Sequence, residues 1–304
     1  MAELIQTPQL MICRGWPNGH YRLIDSGAGR KFERFGTHSF VRPEPQALWQ
    51  PRLPAWDAAG EFVPGSDEDG GGRWHFSADL PEDGWELEWE QHGVRFTASP
   101  TPFRHLQFFP DMAPVWQWMG EQLDGRNDAE TMNMFGYTGL GTLALSNYGK
   151  VTHVDASKKS VAQARENAAF SGMEDRPIRW LVDDAAKFAA REVRRERRYD
   201  GIILDPPKFG RGPKNETWRL EEGLPDLIGD CAKLLDDKSA FLFLTVYAVR
   251  MSSVALAGLL DEKLRHLPGK IEHGDLVVQE ESLGDDAAQR LLPTAIFARW
   301  SNPS

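Results

Sequence analysis

Several short stretches from residue 133 onward in this 304-residue chain place acids, glycines or prolines where an apolar run ends. "ILDPPKFGRG" (203 to 212) leaves its run through Asp205, Pro206 and Pro207 and reaches Phe209 two residues later. The prolines fix φ and remove two donors, so the Asp205 carboxylate can accept hydrogen bonds from the amino group of a base without backbone competition. Phe209 is suited to stack on the face of such a base. "NMFGYTGLGT" (133 to 142) supplies Gly136, Gly139 and Gly141, which permit a tight turn and the approach of a ligand to backbone at a helix N-terminus. Their G-x-x-G-x-G spacing does not match the G-x-G-x-x-G dinucleotide fingerprint. Asp155 lies 22 residues past Asn133. An offset of about 20 lets a carboxylate accept hydrogen bonds from both ribose hydroxyls. Ser157 is available to cap the helix that follows, leaving Asp155 for a ligand. Asp183 and Asp184 come after "IRWLV", where an acceptor can meet an adenine amino group. Each feature also has a plainer reading, as a helix cap or a tight structural turn.

Those residues must be held by regular elements. From about Phe109 onward, apolar runs alternate with helical patterns: strands at 131 to 135, 150 to 155, 178 to 182, 199 to 204 and 239 to 248, and helices at 111 to 123, 139 to 149, 157 to 172, 184 to 196 and 221 to 236. Such alternation means a parallel sheet with helices on both faces, and ligands then bind at the carboxyl ends of the strands. Runs at 270 to 282 and 291 to 300 have no helix between them and predict a closing hairpin. The expected fold class is α/β, a doubly wound, mostly parallel seven-stranded sheet, preceded by a small β-rich module. Six of the eleven tryptophans, many prolines and glycines, and short alternating runs such as "WELEWEQHGVRF" fall in the first hundred residues. The expected domains are therefore 1–102 and 103–304, with "GSDEDGGGR" (65 to 73) as an acidic loop and Arg42 and "GRKFERFG" (29 to 36) as a source of positive charge in the first.

With 35 basic and 45 acidic residues the net charge is −10, which argues against a generally basic nucleic-acid coat but allows a local basic face. "REVRRERR" (191 to 198) reads best as a solvated helix face, while Lys208, Arg211, Lys214 and Arg219 flank the proline elbow. No apolar stretch approaches the ~18 residues of a membrane span, and the start lacks a signal pattern. Two cysteines make no disulfide framework, and the eight histidines make no H-x-x-x-H pair that would support a metal. These features predict a cytoplasmic protein without membrane or metal.

"NMFGYTG", "VDASKKSVAQARENAAFSG", "DDAAKF" and "DPPKFGRG", in this order, resemble the class I S-adenosylmethionine-dependent methyltransferases. The likeness is to the group containing the large-subunit ribosomal RNA cytosine-5 methyltransferase and its guanine-N7 relative, over roughly 103 to 300. "LQFFPD" (106 to 111) is similar to the segment that these enzymes fold over their cofactor. The resemblance implies S-adenosyl-L-methionine as cofactor, contacted by Phe109, Asn133, Phe135, Tyr137, Thr138, Gly139, Asp155, Ala156, Ser157, Asp184 and Ala185. It implies a target wall of Asp205, Pro206, Pro207 and Phe209, and an RNA substrate, with the 1–102 module as a substrate guide. One departure limits the carry-over. Cytosine-5 enzymes of this group attack the base with a cysteine after the fifth strand, and "LTVYAVRMSS" (244 to 253) has none. The chemistry expected is attack by a base nitrogen that is already nucleophilic and that Asp205 orients, with Tyr247 at the pocket edge. A small-molecule or protein substrate, a non-catalytic binding module and a nicotinamide oxidoreductase are the alternatives, the last disfavoured by the glycine spacing.

Overall fold

The computed structural model describes residues 1–65, 71–247, 250–281 and 289–302. The chain forms two compact units, one of Met1–Met11, Val115–Leu276 and Ala295–Ser304, the other of Ile12–Pro114 and Val277–Thr294. Neither is continuous in sequence, whereas a single boundary at 102/103 was expected.

The first unit is built on a nine-stranded sheet: β1 (Glu3–Leu4), β2 (Gln9–Cys13), β3 (Ala129–Met134), β4 (Gly149–Asp155), β5 (Ile178–Val182), β6 (Gly201–Leu204), β7 (Phe241–Tyr247), β8 (Lys270–Gln279) and β9 (Leu291–Ser301). Their order is β1-β8-β9-β7-β6-β3-β4-β5, with β2 also on β8. β3 through β7 pair in parallel, and β9 lies antiparallel to β7. The seven strands β3 to β9 are the expected sheet; β1 and β2, drawn from the amino-terminal residues, extend its edge. The helices are α1 (Ala113–Gln122), α2 (Leu140–Leu145), α3 (Lys158–Phe170), α4 (Ala185–Arg194), α5 (Leu220–Lys233) and α6 (Ser253–Leu264).

Helices on both faces explain why β6 is buried along its whole length and β7 from Phe241 to Val246. The core joins Met132, Met134, Ile202, Leu204, Leu242 and Leu244 of the sheet to Phe188 of α4 and to Leu224, Leu227 and Ile228 of α5. α2 is shorter than its pattern predicted. Gly149 was expected to close it, but the helix stops at Leu145 and Gly149 opens β4. After β3, β4 and β5 are laid down to one side, the chain returns to the other side of β3 with β6, so the topological switch point lies between β3 and β6.

The second unit carries a five-stranded sheet, in chain order Tyr21–Gly27, Arg30–Phe35, His38–Pro43, Gly60–Pro64 and Gly72–Phe76, and a hairpin of Trp85–Trp89 with Val94–Ala98. Its core is aromatic: Phe108 packs on Trp16 at 5.7 Å and on Phe96 at 4.6 Å between ring centroids. Residues 66 to 70 of the expected acidic loop lie outside the described residues, and Gly72 and Arg73 belong to a strand. Arg42 does not present its charge to solvent. It is buried on Glu33, with Nε donating to Oε2 at 2.7 Å and Nη2 to Oε1 at 2.8 Å, and the Tyr21 hydroxyl donates to the same carboxylate at 2.9 Å. Burial pushes the Glu33 carboxyl up, but the Arg42 and Lys31 charges override it and hold the group below its ordinary value.

A second ionic cluster ties the carboxyl-terminal insertion to this unit. Asp25, fully buried, accepts from the backbone N–H of Ser26, Arg52 and Leu53 and from Trp56 Nε1, and takes Arg290 Nη2 at 2.7 Å. Arg290 Nε donates to Glu280 at 2.7 Å. Removing one partner leaves the other charges buried without compensation. Asp25→Ala is therefore expected to lower unfolding stability by about 3–5 kcal/mol, as read from the urea midpoint with an unchanged denaturant slope.

Candidate active site

Strand register sets the site. Met134 pairs with both Val154 and Leu204, and Leu204 pairs with Leu244, so these four form one row across the sheet. One step beyond it, Phe135, Asp155 and Asp205 stand at the carboxyl ends of their strands, and Thr245 lies beside Asp205 two residues before the end of β7. Asp205 Oδ1 accepts from Thr245 Oγ1 at 2.7 Å as a direct result.

The turn after β3 is wound in unfavourable backbone. Phe135 (φ 58°), Tyr137 (φ 48°) and Gly139 (φ 84°) all have positive φ. For two non-glycine residues this conformation costs energy and persists only where the surroundings enforce it, a pattern concentrated at ligand clamps. The Asp155 carboxylate is one enforcing group, its Oδ2 accepting from Tyr137 N at 2.9 Å and its Oδ1 from Ser157 N at 2.8 Å. A second is Asn167 of α3, whose Nδ2 donates to the Thr138 carbonyl at 2.9 Å. Burial pushes the Asp155 carboxyl above its ordinary value, while the two backbone N–H groups pull it back. A carboxylate has about four lone-pair sites, so two accepted amides leave room for a pair of hydroxyls. Ser157 caps α3, its Oγ accepting from Ser160 N at 3.1 Å.

Two of the glycines make room for side chains behind the turn. A Cβ at Gly136 would lie 2.5 Å from the His153 ring, and one at Gly139 would lie 2.7 Å from Ala164 Cβ. Their bareness accommodates protein packed behind the turn. Asn133 is buried, and its Nδ2 donates to Thr142 Oγ1 at 2.9 Å. That hydroxyl meets His153 Nδ1 at 2.8 Å, while His153 Nε2 is buried without a hydrogen-bond partner.

At the end of β5 the acids divide their work. Asp184 caps α4, Oδ1 accepting from Lys187 N at 2.9 Å, and Ala185 is buried behind it. Asp183 pairs with Arg191. Ala156, Phe135 and Tyr137 are half-buried, and Thr138 is buried.

At the proline elbow Pro206 is buried and Pro207 is exposed. The chain after them forms a ribbon, Phe209–Arg211 against Thr217–Arg219, which composition did not announce. Trp218 Nε1 donates to the Pro207 carbonyl at 2.7 Å, and Trp218 packs on Phe135 at 5.2 Å. Phe209 is half exposed, with the Arg211 guanidinium 5.8 Å from its ring. Tyr247, half-buried, ends β7, and Ala248 and Val249 lie outside the described residues. Phe109 belongs to the second unit, where it is half-buried 5.5 Å from the His105 ring, while its neighbour Phe108 fills that unit's core. Both cysteines are free and buried; burial pushes the Cys13 thiol up to about 12 and the Cys231 thiol higher still.

Thr245, Trp218, Asn167 and Thr142 escaped the sequence reading as positioning groups. Thr245 lies two residues short of the end of β7, so strand ends alone do not set it beside Asp205; the register that pairs Gly201 with Phe241 does. Among the described residues no cluster of His, Cys, Asp and Glu is arranged to hold a metal, and no helix is long and apolar enough to cross a membrane.

Strand order, switch point and strand-end acids define a class I methyltransferase fold. No family model matches the chain. A crystal structure of an S-adenosylmethionine-dependent methyltransferase from Agrobacterium tumefaciens is 38% identical and superposes with a TM-score of 0.91, covering 99% of this chain and 95% of that one. A solved structure from Streptococcus mutans, 16% identical with a TM-score of 0.64 over 92% of this chain and 75% of that one, shares the fold. Among curated relatives, the ribosomal RNA large subunit methyltransferase K/L of Shewanella frigidimarina is 24% identical over 161 residues, 52% of this chain and 22% of that protein. Its Shewanella baltica counterpart is 26% identical over 167 residues, 54% and 23%. The chain thus spans less than a quarter of the length of these curated relatives. It belongs to the S-adenosylmethionine-dependent methyltransferases.

The His153 network has a measurable signature. Burial holds the imidazole at about 3, against an ordinary 6.5. Below pH 6.5 the unfolded chain takes up a proton that the folded chain refuses, so the stability is complete above that pH and is lost as pH falls toward 3. One such group adds a slope of up to about 1.4 kcal/mol per pH unit. His153→Asn is expected to flatten the stability–pH curve between these limits by about that slope, measured by urea unfolding across the range.

Proposed function

We propose that this methyltransferase acts on a nitrogen of a base in RNA, ribosomal RNA foremost. The observation that carries the reading is the Asp205 carboxylate, pinned by the Thr245 hydroxyl at 2.7 Å beside two prolines and an exposed aromatic. Methyltransferases for ribosomal RNA among the curated relatives support the substrate class.

The strand-end acids fit the cofactor. Asp155 keeps acceptor capacity for the ribose hydroxyls, the turn of Asn133, Phe135, Tyr137, Thr138 and Gly139 offers backbone to the methionine portion, Ala156 and Ser157 border the ribose, and Asp184 with Ala185 meets the adenine. Phe109 is assigned on resemblance alone. Bound S-adenosylmethionine supplies a methyl carbon on a sulfonium whose positive charge passes to the attacking nitrogen, from which it leaves as a proton to solvent where that nitrogen bears one, so no acid is required for the leaving group. What the chain must supply is placement. Asp205 accepts a hydrogen bond from the base's amino group, Thr245 fixes the carboxylate rotamer, Pro206 and Pro207 hold the wall still, and Phe209 stacks on the base. With Cys13 and Cys231 both buried and their thiols raised, the reading needs no covalent adduct and assigns a nucleophile that is already competent. The unit containing residues 12–114 guides the substrate, and the setting is the cytoplasm.

A small-molecule or protein substrate is the second reading, favoured by the net charge of −10. The two separate in one assay on RNA from a strain lacking the protein, read by mass spectrometry of nucleosides. A new methylated base that appears with wild type, and falls about a hundredfold or more in rate with Asp205→Ala, is the expected outcome. Equal rates for wild type and variant would refute the role of Asp205, and no methylated nucleoside at all would refute RNA as substrate.

A further inference from the structure

The amino ends of the strands, opposite Asp155 and Asp205, hold a cavity of about 340 Å³ whose lining includes Glu130, Lys150, Arg176, Arg179, Arg197 and Tyr199. Register explains why charge collects there. Glu130 pairs with Lys150, and Thr152 pairs with Arg179. Lys150 and Thr152 are two residues apart on β4 and share a face, so all four project to one side of the sheet. α4 lies on that side, where Arg179 sits over the Phe188 ring at 5.6 Å, and the chain leaving α4 delivers Arg197 and Tyr199.

Four cations thus share the cavity with one carboxylate, in a chain whose net charge is −10. Glu130 is already divided between Lys150, at 3.3 Å, and Arg197. Arg176 Nη1 donates to the Ser146 carbonyl at 2.8 Å. The Arg179 guanidinium makes no hydrogen bond among the described residues, which leaves a whole fork, stacked on Phe188. With four cations against one carboxylate the lining carries a net positive charge. A planar fork beside other cations matches phosphate, which it binds through two parallel N–H donors. The exposed Arg194 and Arg198 add positive charge to the segment that carries Arg197, while Arg195 pairs with Glu192 and Glu196 is also exposed there.

We propose that this cavity is a phosphate-binding site, separate from the methyl-transfer centre. The phosphate comes from the backbone of an RNA strand or from a free phosphate ligand, and the site does not depend on the substrate proposed above. Calorimetric titration of inorganic pyrophosphate at low salt, into wild type and Arg179→Gln, tests it. Wild type is expected to bind saturably at one site per chain, and the variant about tenfold or more weakly, with thermal unfolding unchanged. Lys150→Gln, at an exposed position on the same wall, serves as a second variant should the first unfold. A short RNA oligonucleotide gives the second arm. RNA displaced by pyrophosphate and weakened by the same substitution identifies the backbone as the source, while RNA binding indifferent to both identifies a free phosphate. Equal pyrophosphate binding by wild type and variants, or none by wild type at millimolar concentration, overturns the proposal. A chain that binds pyrophosphate yet methylates no RNA would refute the function proposed above and leave this site standing.

Discussion

One half-buried carboxylate holds the methyltransferase end together. Asp155 leaves β4 with its charge partly stripped of water, which pushes its carboxyl up, and recovers stabilisation only by accepting the N–H groups of Tyr137 and Ser157. Those two bonds tie three things to one point: the end of β4, the strained turn after β3 and the start of α3. Without them Phe135 and Tyr137 have little reason to stay at positive φ, and the turn would relax toward ordinary backbone.

Around that point the packing leaves little freedom. Gly136 and Gly139 let His153 and Ala164 press against the back of the turn, so its exposed side is fixed from behind. The sheet does the same for the second acid. Because Leu204 and Leu244 are paired, Asp205 and Thr245 must emerge together, and the hydroxyl orients the carboxylate at no cost in additional structure. Trp218 then locks the elbow by bonding the Pro207 carbonyl and packing on Phe135, which connects the two halves of the site across the switch point.

Much of this was legible in sequence because it follows from local pattern. Period and punctuation placed the strands, and acids just beyond apolar runs pointed to the strand ends. Ser157 announced its cap. What escaped depends on partners far apart in the chain. The ion pairs of Arg290 with Asp25 and Glu280 bring residues 277–294 into the unit built from residues 12–114, and no local pattern joins positions so distant. Arg42 read as available charge because its partner Glu33 lies on a neighbouring strand. That His153 and Ala164 pack behind Gly136 and Gly139 was not legible, because sequence cannot show what fills the back of a turn. The ribbon of Phe209–Arg211 with Thr217–Arg219 is too short for periodicity to reveal.

In the proposed function, Asp155 stays half-buried and charged in order to hold cofactor ribose. Calorimetric titration of S-adenosylmethionine into wild type and Asp155→Ala, side by side, addresses that role most directly. Hydrogen bonds to a charged group contribute about 1.5–3 kcal/mol. The account predicts one saturable site per chain in wild type and binding roughly ten- to a hundredfold weaker in the variant. Equal affinity in the two proteins, or no binding by wild type at millimolar cofactor, would contradict it.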